Sequence, residues 1–292
     1  GVIEGVAETT ASLLKLFTGI VSDRVKRKKL FVVIGYTVST LARPLTGIVG
    51  KAWHIVIVRF LDRVGKGIRT SPRDAIISSA TPPAVRGKGF GFHRAMDHTG
   101  AVLGPLLTLL VLFLFLSFAS PSGVEEPIRF VFLMSIVPGI FAVLVLIFFV
   151  REKKRKDAKE EAGKQFKFSF KRFDRNFITY LGIIILFTLG NSSDAFLLFR
   201  VEEVLRHSGF ITEIVSGLPF LQGFLSLSDD PEVRTKLAAV IVLPLVWSFF
   251  HVLKAVLSTP LSALSDKIGR KKVITLGWGV YALVYAGFAF LD

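Results

Sequence analysis

Apolar runs of about 20 residues, the length a helix needs to cross a bilayer, recur along the chain between short polar breaks. Eight segments follow that pattern: roughly 1–21, 30–50, 53–75, 88–119, 128–150, 176–200, 237–263 and 273–291. Backbone inside lipid must satisfy its own hydrogen bonds, so these segments are predicted to be helices. The fold class implied is an all-α polytopic membrane protein. Two stretches depart from the pattern. The segment 151–175 is dense in Lys, Arg and Glu and too poor in apolar residues to build a core, which predicts a flexible or surface-lying linker. The segment 201–236 exceeds a short connection and is predicted to be an exterior insertion with one or two interfacial helices.

Composition sharpens this picture. Apolar residues make up 51% of the chain, with 28 Phe among them, which a soluble domain would have to hide. The net charge of +15 would suggest nucleic acid in a soluble protein. Here the bases fall in loops on one side: Arg24 to Lys29, Arg86 and Lys88, Arg151 to Arg175, and Lys267 to Lys272. The other side carries Lys51, Glu125, Glu126 and the acid-rich 201–236 segment, so the basic side is assigned to the cytoplasm and no nucleic-acid partner is expected. With no cysteine, disulfides and thiolate metal sites are excluded. No metal-ligand spacing, nucleotide loop or catalytic triad stands out, so neither a cofactor nor enzyme activity is expected. No signal peptide is recognisable, and the chain begins at Gly1 within a membrane-like segment, which reads as a fragment.

One polar break is repeated. Gly19-Ile20-Val21-Ser22-Asp23-Arg24-Val25-Lys26-Arg27-Lys28-Lys29 returns as Ser262-Ala263-Leu264-Ser265-Asp266-Lys267-Ile268-Gly269-Arg270-Lys271-Lys272. A repeat so widely spaced implies two similar halves. Both copies resemble the loop signature of the major facilitator superfamily, Gly-x-x-x-Asp-Arg/Lys-x-Gly-Arg-Arg/Lys-Arg/Lys. Lys26 replaces the inner glycine of the first copy and Ser262 the leading glycine of the second. The resemblance implies two six-helix bundles related by a pseudo-two-fold repeat. Residues 1–150 then correspond to family helices two to six, 151–175 to the central cytoplasmic linker, and 176–292 to helices seven to nine. It further implies truncation at both ends, with one helix before Gly1 and three after Asp292. Gly19, Asp23, Arg24 and Arg27, and Asp266, Lys267, Gly269 and Arg270, are the expected cytoplasmic gate motifs.

Charges inside spanning helices are costly, and each is a functional candidate with a partner to find. Glu4, Glu8 and Lys15 share a face of the first segment, and Glu8 is a candidate proton carrier or a fixed structural pair. The third segment carries Arg59, Asp62, Arg63, Lys66, Arg69, Arg73 and Asp74 around Gly65 and Gly67. It is similar to the family's Arg-x-x-x-Gly-x-Gly, with Arg63 where a glycine is usual, and Arg59 resembles the family's buried arginine. Arg69, Arg73 and Asp74 are expected to form a salt-bridge network at the gate. Pro82-Pro83-Ala84-Val85-Arg86-Gly87-Lys88 looks like the family's turn into helix five. Beyond it, Asp97 is expected to neutralise Arg94 or a base on the preceding helix, and His98 is a candidate pH-sensitive or structural group. Gly100, Gly104 and Pro105 are similar to the core of an antiporter motif, a plausible hinge with small residues suited to tight helix contact. Thr108 stands where that motif continues with glycine. Asp194 is a cavity-facing candidate, with His251 and Lys254 as its candidate partners.

The function these features imply is secondary transport of a small molecule by alternating access, with proton-coupled efflux of a drug-like compound or metabolite favoured. An organic-anion transporter using the Arg/Lys stripe of the third segment is the alternative, since Arg recognises carboxylate and phosphate well. A membrane enzyme acting on lipid head groups, or a receptor without a transport cycle, is the remote reading. The expected partners are the lipid bilayer, the small-molecule substrate and protons, in a monomer of the cell membrane.

Overall fold

The computed structural model describes residues 2–25, 27–119, 125–152, 174–190 and 229–288, with isolated positions at 203, 217, 222 and 226. The helices in chain order are α1 (Val2–Arg24), α2 (Lys28–Ala42), α3 (Ala52–Ala80), α4 (Arg86–Phe118), α5 (Glu125–Met134), α6 (Ile136–Phe149), α7 (Arg175–Gly190), α8 (Pro231–Ile268) and α9 (Arg270–Phe288). Short 3₁₀ turns at Arg43–Gly47 and Pro83–Val85 extend α2 and introduce α4. No strand occurs among the described residues. The observed helices cover the expected segments, except that the end of the sixth, 191–200, lies outside the described residues, as do 120–124, 153–173 and most of 201–228.

Proline sets several of these boundaries. Pro44 lacks an N–H, and α2 tightens into the 3₁₀ turn where it enters. Pro138 would clash with the carbonyl four residues earlier, and the α5–α6 break at Ser135 falls beside that position, at Met134. Together α5 and α6 form one apolar stretch, Glu125–Phe149, long enough to cross a membrane. Lys28–Gly47, Pro83–Phe118 and Ile241–Ile268 also meet that test. Helices α1, α3 and α9 do not meet it.

Two compact units are present, one made of Gly1–Lys154 with Pro244–Asp292, the other of Arg155–Leu243. Within the first unit α3 lies between α1 and α2. A Cβ on Gly65 would come within 2.6 Å of the Gly35 carbonyl and the Ser39 Oγ of α2. A Cβ on Gly67 would come within 2.6 Å of the Leu14 Cβ of α1. Residues two apart point to nearly opposite sides of a helix, so Gly-x-Gly lets both neighbours approach α3 at the same level. The pairs Glu8 with Arg63, Lys15 with Ser71 and Thr18 with Gly67 make α1 parallel to α3, while Ser39 with Gly65 and Arg43 with Asp62 make α2 antiparallel to it.

Candidate functional site

The charges of α3 are organised in tiers by this packing. Asp62 is 8% exposed and faces α2, where its Oδ1 accepts a hydrogen bond from the Arg43 Nε at 3.0 Å. Its other oxygen lies 3.6 Å from the Arg63 Nη1. On the α1 side, one oxygen of Glu8 lies 3.1 Å from the Arg63 Nε and 2.9 Å from the Lys66 Nζ. The chain Arg43–Asp62–Arg63–Glu8–Lys66 thus ties three helices together with alternating charge, an arrangement that lets costly charges persist inside a membrane protein. Glu8 and Asp62 are both held in ion pairs. Arg43, which supplies the partner of Asp62 from the turn after α2, carries no motif that would single it out in the sequence.

Arg63 is covered, and Arg59 is not. The parallel register places Arg59 level with the first turn of α1, and its side chain is exposed, whereas Arg63 one turn later meets Glu8 and is 15% exposed. The side chain of Glu4, on that first turn, lies outside the described residues, as do the side chains of Asp23 and Arg24 and the whole of Asp194.

One tier further along, Arg69 donates to the Ser39 Oγ at 2.5 Å and to the Gly35 carbonyl at 3.4 Å, with its guanidinium 4.5 Å from the Tyr36 ring centre. Arg73 pairs with its neighbour Asp74 at 3.1 Å and lies within electrostatic reach of Tyr36. Arg69 and Arg73 are therefore both near Tyr36, while Asp74 serves Arg73. The Ser71 hydroxyl donates to the Lys15 carbonyl at 2.9 Å. Lys15 itself lies within electrostatic reach of Lys66, Glu8, Arg73 and Arg94, on three helices.

The second copy of the loop motif lies at the junction of α8 and α9. Asp266, near the end of α8, accepts hydrogen bonds from the backbone N–H groups of Gly87 and Lys88, one on each carboxylate oxygen and each at 2.9 Å. These are orphan donors of the first turn of α4, where the helix dipole also favours an anion. Gly87 is needed there, because a Cβ would fall 2.5 Å from the Asp266 Oδ1. Gly269 joins α8 to α9 at φ +93°, a left-handed conformation that explains why the signature carries glycine at this point. Lys267 and Arg270 on either side are exposed. Gly19 of the first copy is in ordinary contact with Ser71, and Arg27 is exposed.

From Asp266 the contact between α4 and α8 continues as an antiparallel seam. Gly91 approaches Ser258 and Ser262, the rings of His98 and His251 lie 5.3 Å apart, and the Ser248 hydroxyl donates to the Val102 carbonyl at 3.2 Å. His251 thus meets His98, while Asp194, for which it is a candidate partner, lies outside the described residues. Asp97 lies 3.8 Å from Arg94, as expected, and 3.6 Å from His93. Around Gly100 and Gly104 a Cβ would meet nothing among the described residues, so the close approaches of α4 are made at Gly87, Gly89 and Gly91. Pro105 lies within an unbroken α4.

A carboxylate absent from the sequence reading repeats the Asp266 arrangement. Glu152, just past α6, accepts hydrogen bonds from the N–H groups of Lys28 at 3.0 Å and Lys29 at 3.1 Å, at the start of α2. Its position in the charged 151–175 stretch gave no signal, because nothing local distinguishes it from the other acids there. No group of three or more His, Cys, Asp or Glu able to hold a metal occurs among the described residues.

The family model of the Major Facilitator Superfamily matches residues 3–292. An uncharacterized MFS-type transporter of Methanocaldococcus jannaschii is 35% identical over 292 residues, covering 99% of this chain and 63% of the relative. The chain therefore spans just under two thirds of that relative's length. An uncharacterized protein of Mycobacterium tuberculosis is 39% identical over 106 residues, 36% of this chain and 26% of that one. A multidrug resistance protein, MdtH, of Salmonella newport is 28% identical over 107 residues, 37% of this chain and 26% of that one. No solved structure matches the chain. With the repeated loop motif and the helical fold, the match along almost the whole length makes this chain a member of the major facilitator superfamily, a family of membrane transporters and not of enzymes.

Proposed function

We propose that the protein to which this chain belongs is a secondary active transporter of the cell membrane that moves a small molecule by alternating access. Its rocking bodies are the halves 1–150 and 176–292, joined by the 151–175 linker, and the basic loops face the cytoplasm. The observation that carries this reading is the bidentate bond of Asp266 to the start of α4. It joins the repeated loop motif of one half to a helix of the other, as a latch on the cytoplasmic side requires. Transport is driven by protons, with Glu8, Asp62, Asp97 and Asp194 as carboxylates available for coupling, and the working unit is a monomer. Efflux of a drug-like compound is the preferred direction and cargo, supported by the partial match to a multidrug resistance protein.

A specific observation favours an organic anion as the second reading. Lys15 on α1 lies within electrostatic reach of Lys66 and Arg73 on α3 and Arg94 on α4, and of the Glu8 carboxylate. Reconstituting the full-length protein and measuring uptake of lipophilic cations and of organic anions under an imposed pH gradient separates the two. Counterflow of cations alone supports the first reading, and counterflow of anions alone supports the second. Asp266→Asn keeps one acceptor oxygen and is expected to slow counterflow about tenfold, as loss of one of the two charge-assisted bonds predicts. Counterflow within twofold of the unsubstituted protein would rule out the latch.

A further inference from the structure

The two copies of the loop motif end in the same three bases, Arg-Lys-Lys, and the structure uses them differently. In the first copy the protein itself engages both lysines: the N–H groups of Lys28 and Lys29 bind Glu152, and the Lys29 Nζ donates to the Ile147 carbonyl in the last turn of α6 at 2.6 Å. In the second copy Arg270, Lys271 and Lys272, with Lys267 before the Gly269 turn, are all exposed. We propose that this second tail and the face of α9 below it form a binding surface for an anionic phospholipid, with the phosphate held by the bases and an acyl chain lying along the helix. The inference goes beyond the transport reading and does not depend on it.

Charge and shape both fit that occupant. Four bases within six residues at the end of a membrane helix are the pattern that attracts anionic headgroups, each base adding to the pull near the bilayer surface. Asp266, the acid beside them, has both oxygens bonded to N–H groups of α4. On α9, Lys272, Leu276, Gly279 and Leu283 recur at steps of three and four residues and so share one face. Leu276 is 62% exposed and Leu283 74% exposed, while Gly279 between them has no side chain to hold an acyl chain off the helix. The rise from Lys272 to Leu283 is about 16 Å, close to the ~15 Å depth of one leaflet's hydrocarbon. The face thus begins with a base at headgroup level and stays apolar for the length of an acyl chain. A phospholipid meets both parts at once, whereas free phosphate would meet the bases alone.

The test uses the full-length protein in lipid nanodiscs, with a fluorophore on Thr275→Cys, an exposed position one turn from Lys271 and Lys272. The chain itself has no cysteine, and any others in the full-length protein are replaced. Quenching by brominated phosphatidylglycerol and by brominated phosphatidylcholine gives the preference for the anionic lipid at this face. A preference of roughly tenfold at low salt is expected, falling toward unity as the salt is raised to about 1 M and screens the bases. Lys271→Gln with Lys272→Gln should lower it about threefold or more, and Lys271→Arg with Lys272→Arg should keep it. Where the glutamine variant fails to assemble, the salt series on the protein with both lysines decides. A preference that salt or the glutamines leave unchanged overturns the proposal, as does one within about twofold of unity at low salt. Failure of both lipids to quench means that another part of the longer chain or a second protein covers this face, and overturns it as well.

Discussion

At the scale of single residues, the glycines of α3 show how closely sequence and packing are linked. Gly65 and Gly67 differ from any other residue by one missing carbon, and that carbon's space is taken by Gly35 and Ser39 on one side and Leu14 on the other. Gly65→Ala is expected to destabilise the protein by about 1–3 kcal/mol through overpacking against backbone, read as a lower Tm in detergent. Gly100→Ala meets nothing within 4 Å among the described residues and should leave Tm unchanged or slightly higher, since alanine favours a helix. Gly269 differs in kind, because its φ of +93° and not its space forbids a side chain. Gly269→Ala should cost about 1–2 kcal/mol and loosen the α8–α9 turn, which faster proteolysis between Lys267 and Lys271 would reveal.

At the scale of elements, α3 is a helix whose charges are made tolerable by its two neighbours. Glu8 holds both Arg63 and Lys66, so Glu8→Gln leaves two cations sharing one neutral oxygen. A loss of about 1–3 kcal/mol is expected, the range for hydrogen bonds to charged groups. Adding Lys66→Met should restore part of it, and a double-mutant cycle that comes out additive would mean Glu8 and Lys66 do not interact. The start of α2 is capped from outside its own sequence, by Glu152. Glu152→Ala is expected to cost about 0.5–2 kcal/mol, as removal of a helix cap does, and to speed hydrogen exchange at Lys28 and Lys29.

At the scale of the whole molecule, two carboxylates play matching parts. Asp266 and Glu152 each bind two successive N–H groups at the start of a helix far away in sequence, α4 and α2 respectively. Under the proposed alternating access, Asp266 joins segments that the cycle must separate, whereas Glu152 joins the end of α6 to the start of α2. Weakening the first should change transport rates, whereas weakening the second should change stability. Counterflow and melting curves on Asp266→Asn and Glu152→Ala in parallel test this, and equal effects on both readouts would remove the distinction.

The sequence by itself determined the helices, their order and the family, because hydrophobic length and a motif repeated in the chain are local properties. The expected run from 88 became α4 (Arg86–Phe118), and the Pro82-Pro83 turn fell where proline forbids helix continuation. It also marked Glu8 and Asp62 as costly groups in need of partners, since a charge in an apolar run is visible without any structure, and it marked Asp266 through the repeated motif. Tertiary structure alone decided which partners those were. Arg43, Lys66 and Glu152 became partners because helix register brought their side chains within 3.1 Å of a complementary group, and register depends on contacts distant in sequence. For the same reason Arg63 and not Arg59 lies covered, and His98 meets His251 across 153 residues of chain, a distance over which periodicity carries no information.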